Sequence, residues 1–250
     1  MPGMADAPPM YRFFKRVLAP MNRYLHLQVE GLENVPDSAP AILACNHLSF
    51  IDSICLPLNL DRPVYFIGKA DYFDSWRTRW FFSGVGVVPI DRGGGDASQR
   101  ALNTGVRILE RGELLGIYPE GTRSPDGRLY RGKTGPVRMA LEAGVPIIPC
   151  GVIGTDEAMP TGARVPKRHP VTVRYGKPLD LSRYVDRKED PFALRSATDE
   201  LMYEIMMLTG QEYVDEYASK VKSGTVDVDP NTITIDLEQV EAEADRRRAS

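Results

Sequence analysis

Short apolar runs alternate along this chain with stretches in which apolar residues recur every three or four positions. The runs Leu25–Glu30, Ala41–Cys45, Val64–Ile67, Gly86–Ile90, Leu114–Tyr118, Ile147–Val152 and Val171–Tyr175 are rich in Val, Ile, Leu or Tyr and bounded by Gly, Pro, Asn or Asp. That combination predicts strands. The periodic stretches near residues 50–60, 72–83, 96–111 and 135–143 predict helices between them. Pro9 to Tyr24 reads as a short amphipathic helix, and past Pro191 the pattern is helical to about Lys220. Strand–helix alternation predicts a single α/β domain. Its expected form is a mixed, mostly parallel sheet of about seven strands flanked by helices and entered through the amphipathic helix. The expected boundaries are a tail and surface helix over 1–24, the domain over 25–220, and an acidic tail over 221–250.

Composition narrows the class of function. AVILMFWYC residues make up 42% and charged residues 26%, the balance of an ordinary globular protein. The 31 basic and 34 acidic side chains leave a net charge of −3, so there is no overall basic field and nucleic acid is not the expected partner. Cys45, Cys55 and Cys150 have no CxxC spacing and sit in apolar segments. That predicts neither a disulfide framework nor a zinc site, and fits a reducing, cytoplasm-facing setting. The opening MPGMADAPPM lacks the apolar stretch of a secretory signal, and no run reaches the roughly 18 apolar residues of a spanning helix. Attachment to a membrane surface stays open. Tyr11 to Leu25 carries Arg12, Lys15, Arg16 and Arg23 with no acid, interleaved with Tyr11, Phe13, Phe14, Val17, Leu18 and Leu25. This is the composition of an interfacial anchor, though a helix packed on the domain with its charges in water has it too. Trp76 to Phe82 is a second candidate contact, and Arg164, Lys167, Arg168, Arg174 and Lys177 form an acid-free basic stretch suited to anionic groups.

Three clusters carry candidate chemistry. Asn46-His47-Leu48-Ser49-Phe50-Ile51-Asp52 follows the strand Ala41–Cys45. On one regular helix, His47 and Asp52 would point about 140° apart. They meet only if His47 lies on the strand-to-helix loop and Asp52 in the first turn, with Ser49 a candidate N-cap. An imidazole oriented by a carboxylate is what a general base needs, whereas a capping Asp near a structural His is the plainer alternative. The second cluster, Pro119-Glu120-Gly121-Thr122-Arg123-Ser124, follows the strand Leu114–Tyr118. Its glycine admits a ligand to the backbone and its guanidinium suits bidentate phosphate binding; structural and functional readings stand level. In the third, Lys69 and Arg92 flank Gly84-Val85-Gly86 and Ile90-Asp91, either as part of a cation set around one anion or as ordinary surface charges. Cys45 reads as core rather than nucleophile, and no residues stand at metal-ligand spacing.

Taken together and in this order, the clusters resemble the 1-acylglycerol-3-phosphate acyltransferase family, glycerolipid acyltransferases with NHxSxxD and EGTR motifs. Val145-Pro146-Ile147-Ile148-Pro149-Cys150 resembles that family's fourth block, and the resemblance covers roughly residues 25–180. It implies transfer of a fatty acyl group from acyl-CoA or acyl-carrier protein to the free hydroxyl of lysophosphatidate at the cytoplasmic face of a membrane. His47 would be the base and Asp52 its orienting carboxylate, with no acyl-enzyme, no metal and no cofactor. Lys69, Arg92 and Arg123 would hold the acceptor phosphate, while Glu120, Gly121 and Thr122 shape its pocket. Lys133 and Gly135 would contact the donor or cap the following helix. The competing expectations are acylation of glycerol 3-phosphate or another lysophospholipid, thioester hydrolysis, and a lipid-binding protein with a dead site.

Overall fold

The computed structural model describes residues 7–69, 80, 86–90 and 97–228, with Lys69 and Ile90 as backbone. Seven strands form one sheet: β1 (Gln28–Glu30), β2 (Ala41–Cys45), β3 (Val64–Lys69), β4 (Val87–Ile90), β5 (Leu114–Ile117), β7 (Ile147–Ile153) and β8 (Thr172–Tyr175). Their order is β1-β8-β7-β2-β5-β3-β4, with every neighbouring pair parallel except β7 and β8. Strand β2 lies between β5 and β7 and is buried along its whole length, which is why Ala41-Ile42-Leu43-Ala44-Cys45 is apolar without interruption. Its side chains alternate between two cores. Leu43 and Cys45 join Ile54, Cys55 and Leu56 of α3 (Asp52–Leu58) on one face. Ile42 and Ala44 join α4 (Ala97–Glu110), α5 (Gly135–Ala143) and α7 (Pro191–Thr209) on the other.

These connections fix where a ligand would sit. From β2 the chain passes through α3 on one face toward β3; from β5 it passes through α5 on the opposite face to β7, across β2. Neighbouring parallel strands whose exits diverge in this way leave a crevice beyond their carboxyl ends. The loops after β2 and β5 carry the His47 and Glu120 clusters.

Three elements depart from expectation. The amphipathic segment is two helices, α1 (Pro9–Leu18) and α2 (Met21–Tyr24), broken where Pro20 has no N–H to continue the ladder. Only part of its apolar side faces outward: Phe13 and Val17 are exposed, whereas Tyr11, Phe14 and Leu25 are buried. The C-terminal helix ends at Thr209, where Gly210 takes a left-handed conformation (φ 69°). Beyond it, β9 (Tyr213–Val214) pairs with β6 (Leu129–Tyr130), and a short helix, α8 (Ala218–Lys222), follows. Val221 and Val228 pack on the small core of Tyr130, Val214 and Ala218, so residues assigned to an acidic tail belong to the folded body. The expected helix over 72–83 and the acids from Asp229 onward lie outside the described residues, Trp80 excepted.

Candidate active site

Every backbone N–H from His47 to Ser49 ends on a carboxylate. His47 N donates to Glu120 Oε1 at 3.0 Å, and Leu48 N and Ser49 N both donate to Asp52 Oδ2 at 2.8 Å. The same Asp52 oxygen lies 2.8 Å from His47 Nδ1. An ionised carboxylate only accepts, so Nδ1 carries the proton and Nε2 holds the free lone pair. Asp52 is fully buried at the first position of α3, and its other oxygen, Oδ1, has no hydrogen-bond partner. The helix N-terminus and the three donors to Oδ2 hold the charge there. His47 thus sits on the loop and Asp52 in the first turn, as their spacing requires. Ser49 does not cap: its hydroxyl donates to the Met159 carbonyl at 2.6 Å, and Ile51 stands at the N-cap with no side-chain cap.

The loop after β5 grips the same segment. Ser124 N donates to the His47 carbonyl at 2.7 Å, so His47 is held on both sides of its α-carbon. Glu120 is almost wholly buried and accepts from Tyr130 N as well, at 3.0 Å. Burial pushes its carboxyl up to about 8, against the pull of the two backbone donors. Glu120 therefore faces the loop interior, its two oxygens taken by the His47 and Tyr130 N–H groups. Gly121 sits at φ 74°, and a β-carbon there would lie 3.0 Å from Lys133 Nζ, so the lysine crosses the glycine's open face. Lys133 does not cap α5. Thr122 and Arg123 lie partly exposed on this loop, and the Arg123 guanidinium has no internal carboxylate partner among the described residues. Arg92 falls outside the described residues and Lys69 is described as backbone, at the end of β3.

Tyr118 escaped the motif reading, and Asn46 was named in its motif without a role. The Tyr118 ring stacks on the His47 imidazole, with centroids 3.8 Å apart and planes 10° from parallel, and its hydroxyl is 2.7 Å from Ser53 Oγ. Its place, just before Pro119-Glu120 at the end of β5, was the available signal. Asn46 is fully buried and exchanges hydrogen bonds with Val152, Nδ2 donating to the carbonyl at 2.9 Å and Oδ1 accepting from N at 2.8 Å. Its amide also meets Gln211 Oε1 at 2.8 Å, and Gln211 donates to the Gly127 carbonyl. None of the three cysteines is poised as a nucleophile. All are buried, and burial holds the Cys45 and Cys150 thiols well above their ordinary range and lifts Cys55 to about 12. Near Ser53, a small cleft of about 30 Å³ lies between α1 and α3, lined by Tyr11, Phe14, Leu18, Ile54, Pro57 and Leu58 with Lys15 and Ser53 at its edge.

Against known families, residues 26–153 match the Acyltransferase model, which covers half of the chain and both clusters. The chain belongs to the acyltransferase family. A chloroplastic 1-acyl-sn-glycerol-3-phosphate acyltransferase of Arabidopsis thaliana is 35% identical over 69% of this acyltransferase and 49% of its own length. A Brassica napus relative of the same description is 38% identical over 54% of this chain and 39% of its own length. The chain thus spans about half, or less, of these curated relatives. A Bacillus subtilis protein of that description is 26% identical, with 72% of this chain and 87% of its own length covered. The crystal structure of a 1-acyl-sn-glycerophosphate acyltransferase from Thermotoga maritima shares the fold, with TM-score 0.60 at 23% identity over 88% of this chain and 83% of that one.

Proposed function

We propose that this acyltransferase moves a fatty acyl group from a thioester, acyl-CoA or acyl-carrier protein, to the free hydroxyl of lysophosphatidate, giving phosphatidate. The observation that carries the reading is the His47–Asp52 pair, bonded through Nδ1, beside a loop whose arginine has no carboxylate partner among the described residues. Nε2 takes the proton of the acceptor hydroxyl as its oxygen attacks the thioester carbonyl. The tetrahedral oxyanion collapses, the C–S bond breaks, and the departing sulfur takes the proton back from the imidazolium. Asp52 keeps its charge throughout and stabilises that cation. The N–H groups of His47, Leu48 and Ser49 are already bound to carboxylates, so oxyanion donors must come from outside this segment. Arg123, with Arg92 and Lys69 by resemblance, binds the acceptor phosphate.

A surface reading goes with this chemistry. No helix of the described residues is long and apolar enough to cross a membrane, yet acceptor and product are lipids. Phe13, Val17 and Trp80 are exposed, the Phe13 and Trp80 rings 6.4 Å apart, and α1 and α2 carry Arg12, Arg16 and Arg23, the pattern of an interfacial anchor on anionic lipid.

One assay tests both. Radiolabelled acyl-CoA and acyl-carrier protein are offered with lysophosphatidate, glycerol 3-phosphate or no acceptor, the lipid being dispersed short-chain or embedded in anionic vesicles. Phosphatidate formed from lysophosphatidate is the expected product. Free fatty acid independent of acceptor would replace the reading with a thioesterase. Arg12, Arg16 and Arg23→Glu together should reduce turnover of the embedded substrate more than of the dispersed one; equal rates would move the anchor elsewhere.

A further inference from the structure

The last described helix reaches back onto the Glu120 loop. Lys222, at the end of α8, donates from Nζ to Thr122 Oγ1 at 3.1 Å and to the Arg123 carbonyl. It lies about a hundred residues from that loop in sequence and outside every motif. The docking is specific, because Ala218 and Val221 seat the helix on Tyr130 and Val214. Tyr130 N in turn holds Glu120.

The local charges are unbalanced in one place only. Lys220 pairs with Glu216 at 3.2 Å, Arg131 with Asp215 at 3.3 Å and Arg128 with Asp126 at 2.6 Å. Among the described residues, Arg123, Lys133 and Lys222 have no carboxylate partner, although they gather on the same five-residue loop. The nearby carboxylate, Glu120, is buried with both oxygens on backbone N–H groups. Burial and the Arg123 charge together lower the pKa of Lys222 from its ordinary value, with Glu120 pulling the other way. Cations held this close without an anion form a site that an incoming anion would relax. An ammonium has three hydrogens, and two of those on Lys222 are occupied by Thr122 and Arg123. One is left to give.

We propose that Lys222 is a phosphate-binding residue of the acceptor site, supplied by the C-terminal helix to the loop that also carries Thr122 and Arg123. This rests on the lysophosphatidate reading above and adds to it a residue, and a segment, that recognise the phosphomonoester. Lys133, lying across Gly121, borders the same site.

The test compares wild type, Lys222→Met, Lys222→Arg and Arg123→Met on lysophosphatidate and on monoacylglycerol of the same chain length. Lys222→Met should raise KM for lysophosphatidate about tenfold, the scale of one charge-assisted hydrogen bond. The loss on monoacylglycerol should be much smaller, and Lys222→Arg should recover most of the affinity. Calorimetric titration with glycerol 3-phosphate runs beside the assay and reads the contact without turnover, with a similar weakening expected in Lys222→Met. Thermal melting of each variant shows whether α8 stays docked, and Lys222→Arg keeps the helix contacts if Met does not. Equal losses on both acceptors, or an unaltered dissociation constant for glycerol 3-phosphate, would overturn the inference. Wild type that binds glycerol 3-phosphate through Lys222 yet fails to acylate lysophosphatidate would overturn the proposed reaction and leave the phosphate site standing.

Discussion

Buried polar side chains tie down the backbone at both ends of the central parallel strands, a donor at one end and acceptors at the other, with different purpose. Before β2 and β5, Arg62 is almost wholly buried and donates to the carbonyls of Pro36, Ala39 and Gly112 at 2.9, 2.7 and 2.6 Å. After the same strands, Asp52 and Glu120 accept from the N–H groups of His47, Leu48, Ser49 and Tyr130. At the amino end the device closes on itself, since what it holds is only the entry of two strands. At the carboxyl end it holds a side chain that is left partly open to solvent. Fixing the backbone with carboxyl groups there also leaves Arg123, Lys133 and Lys222 without a carboxylate partner among the described residues. Rigidity is common to both ends; chemistry belongs to the end where the pinned segment presents an unused lone pair.

The comparison can be broken first at the carboxyl end. His47→Ala should lower turnover by ~10²–10⁴-fold with little change in melting temperature. Asp52→Asn should cost at least ~10²-fold, because Asn Oδ1 can keep the three accepted hydrogen bonds but brings no negative charge to the imidazolium. Steady-state kinetics beside thermal melts would expose a structural role if both variants lost stability in step with activity. At the amino end the pattern should invert. Arg62→Ala strands buried carbonyls and should cost about 3 kcal/mol in a denaturant titration, while the activity of the remaining folded fraction stays near wild type. A catalytic defect greater than the folded fraction explains would merge the two ends.

Glu120 sharpens the comparison because it serves fold and site together. Glu120→Gln places an amide NH₂ against one of two backbone donors, which should cost about 1–3 kcal/mol and loosen His47 as well. The pH dependence has a definite sign. The Glu120 carboxyl is raised from 4.5 to about 8 by burial, so between those values the folded protein holds a proton that the unfolded chain has released. Its contribution to stability is full below about 4.5 and is lost as pH rises through about 8. Stability profiles of wild type and Glu120→Gln should therefore converge toward alkaline pH. Parallel profiles would assign the slope to other groups.

How much of this was legible follows the range of the forces involved. All seven strands of the main sheet overlap the runs read as strands; β2 and β7 did so because strands buried on both faces need apolar residues throughout, whereas the exposed edge strand Gln28-Val29-Glu30 was carried by Leu25 and Leu27 before it. The pairing of β6 with β9 left no trace, since two-residue strands carry no periodicity. The break at Pro20 is written in the chain, but amphipathic spacing continues across it and hid it. In the site, His47 and Asp52 are five residues apart and could be read together. Ser49 was misassigned because its acceptor, Met159, is more than a hundred residues away. Glu120 was singled out by its motif but its partners were not, and Lys222 had no signal, for the same reason: what they contact depends on segments that only the fold brings near.

That distance in sequence gives the site a temporal property. His47 is held by Glu120 and Ser124, Asn46 by Val152 and Gln211, and Ser49 by Met159. Every one of these partners leaves the ribosome after the histidine does, and Gln211 comes close to the end of the folded body. Contacts that close such long loops form late in folding. A nascent chain therefore carries His47 for most of its synthesis without the geometry that the proposed base requires. On that reading, reactivity arrives only once the segment through Gln211 has been made and folded.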